Sequence, residues 1–480
     1  MAHGETICAI ATPPGSGGIG IIRVSGPLAL AVAGRLVRLR CGRPLVEIPC
    51  RRLFLADVGS ELHPEAHEFP VSLRSAPPSS TLILDTCLVV VMRAPHSYTG
   101  EDVVELHCHG GPALLRSVCE GLLVNGARVA EPGEFTRRAF LNGRIDLAQA
   151  EGVLDTIVAR TTESLRHAQE LSRGVFSQHI RGLQDVLVGI LAEVEAGIDF
   201  VEEDLTVASL AELRSSLDGV SRAIGKLLSS WDRGRLLREG AAVVLVGCPN
   251  VGKSSLLNAL VEYDRAIVTP IPGTTRDVLE EAVNLEGIPI RLIDTAGLRE
   301  TDDVVEREGV RRTREAISEA DLAIVVLDGS AGLSPSDLEV VKAVRGQRHL
   351  LVVNKADCPI SVTEAELRAL SSPDRAGSPL YVSARAGTGL DELRRLIVKQ
   401  LPGGAADGEG LMITRIRHYE ALVRARDAVA GAVDTVRNGL SPEFLAVDVR
   451  AATIALAELT GGFTTDDLLD QIFTQFCIGK

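Results

Sequence analysis

Short apolar runs alternate with amphipathic stretches in one long region of the chain. Ala241–Gly247 is a continuous apolar run, and apolar residues continue at helical spacing over 254–260. Further apolar runs of strand length, separated by helical stretches, occur at 290–293, 322–327, 349–353 and 380–383. Buried strands that alternate with helices predict a doubly wound α/β sheet. The pattern ends near Gln400.

On both sides of this region the chain follows a helical pattern. No proline occurs between Pro132 and Pro249, and Leu183, Leu187, Ile190, Val194 and Ile198 keep the spacing of a buried helix face. A similar pattern returns at 419–436 and 447–459. We therefore predict one helical domain in two segments, with the α/β domain inserted between them.

The first 120 residues mix strand-like and helical runs, which predicts an α+β domain. Strands are expected at 6–10, 20–24, 82–85 and 87–92, and helices at 28–40 and 113–123. Residues 59–81 hold four prolines and little periodicity, which predicts a surface loop. The predicted fold is thus multidomain α/β: an α+β domain at 1–120, helical segments at 121–240 and 401–480, and the inserted domain at 241–400.

Composition excludes several classes of protein. The 480 residues are 45% hydrophobic, which is enough to bury a core and argues against a disordered or fibrous chain. No apolar stretch reaches the roughly 18 residues of a spanning helix, and the first residues lack the order of a signal peptide. The nine cysteines form no Cys-x-x-Cys pair, so we expect a reducing cytoplasm, with neither a disulfide framework nor a zinc ribbon.

The net charge of −14 bears on any nucleic-acid partner. In each of the four predicted segments acidic residues outnumber basic ones. A protein that grips nucleic acid through many phosphate contacts usually carries a basic excess. If RNA is a substrate, a local basic patch or a partner protein must supply part of the binding.

The strongest chemical motif begins where the first apolar run of the α/β region ends. Gly247-Cys-Pro-Asn-Val-Gly252-Lys253-Ser254 matches G-x-x-x-x-G-K-S between a predicted strand and a predicted helix. The glycines allow backbone N–H groups to surround phosphates, the lysine reaches the β and γ phosphates, and Ser254 binds Mg²⁺. The inserted domain is therefore predicted to be a P-loop domain.

Three more motifs follow later strands in the same order along the chain. Asp294-Thr-Ala-Gly297 supplies a carboxylate on the Mg²⁺ side and an amide toward the γ-phosphate. Asp357 of Asn354-Lys-Ala-Asp357 accepts hydrogen bonds from the N1–H and N2 amine of guanine, and adenine lacks that ring donor. Ser383-Ala-Arg385 closes the base pocket. Together the motifs predict that this domain binds GTP.

The segment between the first two motifs predicts a nucleotide-dependent switch. Thr275, within Pro272–Asp277, is expected to complete the Mg²⁺ shell when a γ-phosphate is present. Leu298 stands where many GTPases carry a water-orienting glutamine, and the acid-rich stretch after it holds no obvious arginine finger. The side-chain oxygen of Asn250 suggests a monovalent cation beside the phosphates instead.

With these residues in hand, nearly the whole chain resembles the MnmE (TrmE) family of tRNA-modification GTPases. The blocks that carry the resemblance outside the GTPase motifs are Ala11–Gly20, Tyr98–Glu105, His109–Pro112, Pro132–Glu151 and the terminal Cys477-Ile-Gly-Lys480. Cys248 departs from the basic residue common at its position. The 59–81 stretch is longer than is usual in the family.

The resemblance implies residue roles that the sequence pattern does not. It implies a K⁺ site at Asn250, Thr269, Ile271 and Thr274, and a water-orienting acid at Glu306. It implies a reduced folate (5-formyl- or methylene-tetrahydrofolate) bound at Arg23, Glu105, Arg144 and Lys480. Motifs and resemblance together place GTP against Asn250, Val251, Gly252, Lys253, Ser254, Ser255, Thr269, Pro270, Ile271, Pro272, Gly273, Thr274, Thr275, Asp294, Thr295, Ala296, Gly297, Asn354, Lys355, Ala356, Asp357, Ser383, Ala384 and Arg385.

The resemblance also implies an activity and partners. Such proteins form homodimers through the N-terminal domain and hydrolyse GTP when potassium pairs two G domains. With an FAD-containing MnmG (GidA)-type partner, in a heterotetramer or larger complex, they install an aminomethyl-type (carboxymethylaminomethyl) group at C5 of a tRNA wobble uridine. The expected cofactors are Mg²⁺, K⁺ and the folate, with FAD in the partner, and no membrane is expected.

Several alternatives stay open at this point. A GTP-switched ribosome-assembly factor would have much the same G domain, although no appended RNA-binding module is recognisable here. A stand-alone dimerising switch is a weaker alternative. Cys477 is either a nucleophile or a packed residue of a segment that delivers Lys480 to the folate. His107 and His109 lie on one face of a predicted strand without a third metal ligand, which favours a structural role.

Overall fold

The computed structural model describes residues 4–59, 83–199, 207–263, 280–294, 314–370, 379–403 and 410–480. Its contacts divide the chain into two compact units. Unit one joins Met1–Leu154 to Thr460–Lys480, and unit two is Asp155–Leu459. The division into four segments at 120, 240 and 400 stays a prediction, whereas the contacts group the C-terminal residues with the N-terminal ones.

The described strands of unit one form one sheet in the order β3-β4-β5-β6-β2-β1-β7. Neighbouring strands are antiparallel except for the parallel pair of β1 and β7. The strands are β1 Ile7–Ile10, β2 Gly17–Ser25, β3 Val37–Leu39, β4 Phe54–Gly59, β5 Ile83–Met92, β6 Val103–Gly110 and β7 Arg128–Val129.

Helices pack on both faces of this sheet, in two separate apolar cores. The described helices of unit one are α1 Ala29–Leu36, α2 Pro112–Val124, α3 Glu134–Leu141, α4 Leu147–Val158, whose last residues belong to unit two, and α16 Asp466–Phe473. Alternation along β2 turns Ile22 and Val24 toward Val118 and Leu122 of α2 in one buried core. Arg23 therefore points to the opposite face.

The prediction for one helix of unit one is partly wrong. Helix α1 ends at Leu36, and Val37–Leu39 forms the edge strand β3 instead of continuing the helix to residue 40. Val37 pairs with Val58 of β4, and a β-branched residue is well suited to that position. The two runs expected at 82–85 and 87–92 form the single strand β5. The loop predicted at 59–81 lies, apart from Gly59, outside the described residues.

Unit two contains the predicted doubly wound sheet. Its described strands follow the order β13-β12-β11-β8-β10-β9 and are parallel except for the hairpin of β9 and β10. They are β8 Ala241–Val246, β9 Glu280–Leu285, β10 Ile288–Asp294, β11 Leu322–Asp328, β12 His349–Asn354 and β13 Leu380–Tyr381. Strand β9 was not predicted, because it lies at an edge and lacks a continuous apolar run.

Apolar cores fill both faces of the six-stranded sheet. Helices α8, α9 and α13 pack on one face, and α10, α11 and α12 on the other. Their bounds are α8 Trp231–Glu239, α9 Lys253–Tyr263, α10 as far as it is described (314–319), α11 Pro335–Ala343, α12 Glu364–Leu370 and α13 Leu390–Gln400. The multidomain α/β class with an inserted P-loop domain is confirmed.

The remaining helices of unit two confirm the helical pattern on both sides of the inserted domain. They are α5 Thr162–Ser172, α6 Val175–Asp199, α7 Val207–Ser229, α14 Ile416–Arg437 and α15 Pro442–Thr460. Helices α7 and α14 pack against each other although they lie on opposite sides of the insertion. In the described part of the chain no helix is both long and apolar enough to cross a membrane.

Candidate functional site

The P-loop connects the end of β8 to the first turn of α9. The ammonium of Lys253 is buried and donates to the carbonyl oxygens of Gly247 (3.0 Å) and Cys248 (2.8 Å). Gly252 has φ +96°, and a Cβ on it would lie 2.3 Å from the side-chain nitrogen of Asn354. Glycine is therefore required there, directly before the first turn of α9, where helix N–H groups can bind an anion.

A hydroxyl and a carboxylate meet beside the P-loop. The hydroxyl of Ser254 donates to Oδ2 of Asp294 at 2.6 Å, and Asp294, at the end of β10, is buried. Both groups offer the hard oxygen atoms that Mg²⁺ prefers. The donor set at this position therefore fits the predicted metal.

Asn354 joins the P-loop to the base-binding loops. Its buried amide donates to the carbonyl of Val251 at 2.9 Å, and its side-chain oxygen accepts from the backbone N–H of Ala384 at 3.1 Å. The backbone N–H of Ala356 donates to Val382 at 3.0 Å. One side chain thus fixes the spacing between the phosphate side and the base side of the predicted site.

Asp357 is held by the next strand end. The buried hydroxyl of Ser383 donates to Oδ1 of Asp357 at 2.6 Å, and this bond holds the pKa of the carboxyl below its ordinary value. Asp357 is otherwise exposed and stays ionised. An ionised carboxylate fixed in this way can accept two N–H groups from a guanine.

Lys355 has a partner that sequence reasoning missed. Its ammonium lies 2.5 Å from Oδ2 of Asp328, the last residue of β11, and its backbone has φ +64°. Partial burial raises the pKa of Asp328, but hydrogen bonds from Lys355 and Ser330 outweigh it, so the pKa lies below its ordinary value. Its place at the end of a buried strand was the signal that could have identified Asp328.

The rest of the predicted nucleotide site is described only in part. Asn250, with φ +64°, Ser255 and Arg385 are exposed, and their side chains face solvent. The following predicted residues lie outside the described residues: Thr269, Pro270, Ile271, Pro272, Gly273, Thr274, Thr275, Thr295, Ala296, Gly297 and Glu306.

Unit one brings two of the four predicted folate residues together. Arg23 of β2 and Glu105 of β6 are cross-strand partners, and Nε of Arg23 donates to Oε1 of Glu105 at 2.8 Å. His107 Nε2 lies 3.3 Å from the other oxygen of Glu105. The guanidinium also lies 5.6 Å from the ring centre of the buried Phe135, a cation–π contact to a residue given no role from the sequence.

The C-terminal segment lies against the same arginine. Nη1 of Arg23 donates to the carbonyl of Gly479 at 3.2 Å. Gly479 has φ +96°, and a Cβ there would lie 2.6 Å from the carbonyl of Ile10. Lys480 is half-buried, whereas Arg144 is exposed. In the part of the chain that the structure describes, no hydrogen bond or ion pair joins either side chain to Arg23 or Glu105. Cys477 is exposed, and its role stays a prediction.

Each of the two histidines of β6 lies against a carboxylate. His109 Nδ1 lies 2.7 Å from Oδ1 of Asp85, and His107 contacts Glu105. Within the described residues no group of three or more His, Cys, Asp or Glu side chains is arranged to hold a metal ion. These contacts support the structural role favoured for the histidines.

Comparisons with known proteins cover nearly the whole chain. The family model described as "GTP-binding protein TrmE N-terminus" matches residues 6–144, and the model described as "MnmE helical domain" matches residues 147–477. The tRNA modification GTPase MnmE of Heliobacterium modesticaldum is 47% identical over 99% of this chain and 100% of its own length. The protein of the same name from Symbiobacterium thermophilum is 47% identical over 99% of each chain.

Solved structures resemble a smaller part of the chain. Era of Aquifex aeolicus bound to GDP and AlF4⁻ is 29% identical, covers 39% of this chain and 66% of its own, and has a TM-score of 0.28. The G domain of the T. maritima iron transporter FeoB is 28% identical, covers 33% of this chain and 98% of its own, and has a TM-score of 0.26.

Proposed function

The chain belongs to the MnmE family of tRNA modification GTPases, and from this premise we propose that potassium activates its GTP hydrolysis. We propose further that it acts with an FAD-containing MnmG-type partner. The pair installs an aminomethyl-type (carboxymethylaminomethyl) group at C5 of the tRNA wobble uridine, with a reduced folate as the one-carbon source. The observation that carries the proposal is the convergence of Lys253, the Ser254–Asp294 pair and Asn354 at one sheet edge.

The described residues divide the work of nucleotide binding. Lys253 and the N–H groups at the start of α9 bind the β and γ phosphates. Ser254 and Asp294 hold Mg²⁺, which neutralises charge on the phosphate oxygens. Asp357, fixed by Ser383, selects guanine, and Asn354 keeps the two halves of the site in register. Glu306 orients the attacking water, and Thr275 reports the γ-phosphate.

Potassium takes the place of an arginine finger in this proposal. Asn250 presents an exposed side-chain oxygen at the tip of the P-loop, a suitable ligand for a hard monovalent cation. Thr269, Ile271 and Thr274 complete the site. A fixed positive charge at this position stabilises the charge that develops on the phosphates during hydrolysis.

The folate lies in unit one in this proposal, beside the Arg23–Glu105 pair and the C-terminal segment that contacts it. Each oxygen of Glu105 accepts one hydrogen bond within the protein and retains a lone pair for an N–H group of the pterin. Arg144 and Lys480 carry side-chain charges with no partner among the described residues, and these charges bind the glutamate carboxylates of the folate. The donor set therefore fits the cofactor.

Two copies of the chain form the working unit in this proposal, through the N-terminal domain. Pairing of their G domains assembles the potassium site, and the partner protein contributes FAD. The complex is cytoplasmic. GTP turnover gates the modification and contributes no atom to it.

GTP turnover in KCl and in NaCl at equal ionic strength tests the proposed activation. We expect turnover to rise at least about tenfold in potassium, because one fixed charge at a transition state is worth several kcal/mol. Asn250→Ala should abolish the difference, whereas Asn438→Ala, which changes an exposed asparagine of unit two, should preserve it. Equal rates in the two salts would refute potassium activation and leave GTP hydrolysis itself unaffected.

A further inference from the structure

A strongly basic segment interrupts this acidic chain. Residues 35–52 contain six arginines and one acidic residue, Glu47, while the whole chain carries a net charge of −14. The segment runs from the last turn of α1 through β3 to the residues before β4. Its charge has no role in the nucleotide site or the folate site. We call its six arginines, together with Arg93, the arginine patch: Arg35, Arg38, Arg40, Arg43, Arg51, Arg52 and Arg93.

Within the described residues, most of this charge is not neutralised. The six arginines of the segment are exposed. Arg40 is bound by Asp57 at 2.8 Å, and Arg38 is near enough to that carboxyl to help hold its pKa below the ordinary value. In the described part of the chain, Arg35, Arg43 and Arg52 have no carboxylate partner.

Two further arginines use backbone oxygens and keep their full charge. Arg51 donates to the carbonyl of His96 at 2.7 Å, and Arg93 donates to the carbonyl of Val46 at 2.6 Å. These bonds fasten the segment to the end of β5 without supplying a negative charge. The buried side chains of Leu45 and Ile48 anchor it further. The charge is therefore presented on an ordered surface.

An open groove of about 1000 Å³ lies beside the segment. Arg38, Arg40 and Arg43 line it, together with Gly34 of α1 and Val46. Its carboxylate, Asp57, is already bound by Arg40. A groove edged by guanidinium groups suits the backbone of a polyanion, because planar guanidinium groups bind phosphate in a bidentate manner.

We propose that the arginine patch is the surface of this chain that binds the phosphate backbone of tRNA. The inference deepens the proposed function, on which it rests, because tRNA is the substrate there. It also resolves the conflict between an acidic protein and a polyanionic substrate, since the local charge of the segment is opposite to that of the chain. Phosphate contacts position the RNA without reading its sequence.

Binding of deproteinised tRNA from cells lacking the gene tests the proposal. The full-length protein is compared with the quadruple variant Arg35→Ser, Arg38→Ser, Arg43→Ser, Arg52→Ser. The matched control changes four exposed arginines elsewhere, Arg116, Arg214, Arg368 and Arg437, to serine. Both variants lose the same total charge, and GTP turnover equal to that of the unchanged protein shows that each has folded.

We expect the patch variant to bind tRNA more than about tenfold more weakly between about 50 and 200 mM salt. Its plot of log affinity against log salt should be shallower by about three, since each lost phosphate contact removes roughly 0.7 to 0.9 from the slope. The affinity of the control variant should stay within about twofold of that of the unchanged protein, and its slope within about one unit.

Three results would overturn the proposal. The first is an equal loss of tRNA affinity in the patch variant and the control variant, which would mean that only the total charge of the protein matters. The second is unchanged tRNA affinity in the patch variant; if that variant also fails to assemble with the FAD-containing partner, the patch is a protein contact. The third is no tRNA binding by the unchanged protein. Failure of the proposed function is distinguishable, because the unchanged chain would then not restore the modified nucleoside in cells.

Discussion

The nucleotide site of unit two and the proposed folate site of unit one are assembled in different ways. In unit two, Asp294, Asp328 and Asn354 each end a parallel strand, and the sheet brings them to one edge. In unit one, Arg23 and Glu105 meet through antiparallel register, and Gly479 reaches Arg23 from 456 residues away in sequence.

This difference explains which site a single sequence can predict. Parallel strands that alternate with helices place their carboxyl ends together whatever the intervening lengths, so motifs at strand ends are sufficient. No such rule predicts which residues face each other in an antiparallel pair, or where the C-terminal segment packs. The folate residues were therefore indicated only by family resemblance. If the two sites are assembled independently, a substitution in one site should leave ligand binding at the other unchanged. A substitution that impairs both sites would contradict this independence.

Glu306→Ala should have the largest effect, confined to unit two. We expect GTP affinity to persist and turnover to fall about a hundredfold or more, because a positioned acid that activates water contributes on that scale. Single-turnover hydrolysis with a separate measurement of GTP affinity distinguishes the two quantities. Glu308→Ala is the matched control from the same acidic stretch. Intact turnover in Glu306→Ala would mean that another group positions the water.

Asp357→Asn should weaken GTP binding about tenfold to a hundredfold. The substitution removes hydrogen bonds to a charged acceptor, each worth roughly 1.5 to 3 kcal/mol. Discrimination against xanthosine triphosphate should relax, because an amide can donate to its additional oxygen. Competition between the two nucleotides measures the change, and the exposed Asp427→Asn serves as control. An unchanged base preference would refute the guanine contact.

Arg23→Gln should lower affinity for 5-formyl-tetrahydrofolate about tenfold and leave GTP turnover unchanged. Arg23 holds both Glu105 and the carbonyl of Gly479, and a lost charged hydrogen bond costs roughly 1.5 to 3 kcal/mol. Equilibrium titration of the folate by fluorescence measures the loss. Arg116→Gln, on the exposed side of α2, should bind as the unchanged protein does. Unchanged folate affinity in Arg23→Gln would remove this residue from the cofactor site.

Asp328→Asn should have the smallest effect. Lys355 loses a partly exposed ion pair worth at most about 1 kcal/mol, so GDP should dissociate up to about fivefold faster. Turnover at saturating GTP should not change, because the pair positions a base-side residue and touches no reacting atom. Stopped-flow release of a fluorescent GDP analogue measures the rate, with Asp427→Asn as reference. A fall in maximal turnover would assign Asp328 a role nearer the phosphates.

The fold was predictable where burial imposes a strong pattern. The continuous apolar runs of β8, β11 and β12 are buried on both faces, and each was found within a residue or two. The edge strands β3 and β9 and the interior strand β4 were not predicted; the two edge strands carry mixed side chains and gain their conformation from a neighbour. Helix propensity alone therefore extended α1 four residues too far.

The nucleotide site was predictable where the local backbone conformation or the bound group requires one particular residue type. Gly252 and Lys253 follow from the phosphate loop itself, and Asn354 and Asp357 from the strand that precedes them. Asp328 belongs to no sequence motif, and its role is visible only in the structure, where Lys355 forms an ion pair with it. Phe135 likewise acquires a role only because the antiparallel sheet turns Arg23 toward its ring.

The central claim is that this chain modifies tRNA with GTP as the controlling nucleotide. The most direct measurement is the nucleoside composition of tRNA from cells that lack the gene, with and without the chain restored. We predict loss of the C5-substituted wobble uridine and its recovery with the unchanged chain, but not with Glu306→Ala. Unchanged nucleosides together with accumulation of unjoined ribosomal subunits would contradict the claim and favour a ribosome-assembly factor.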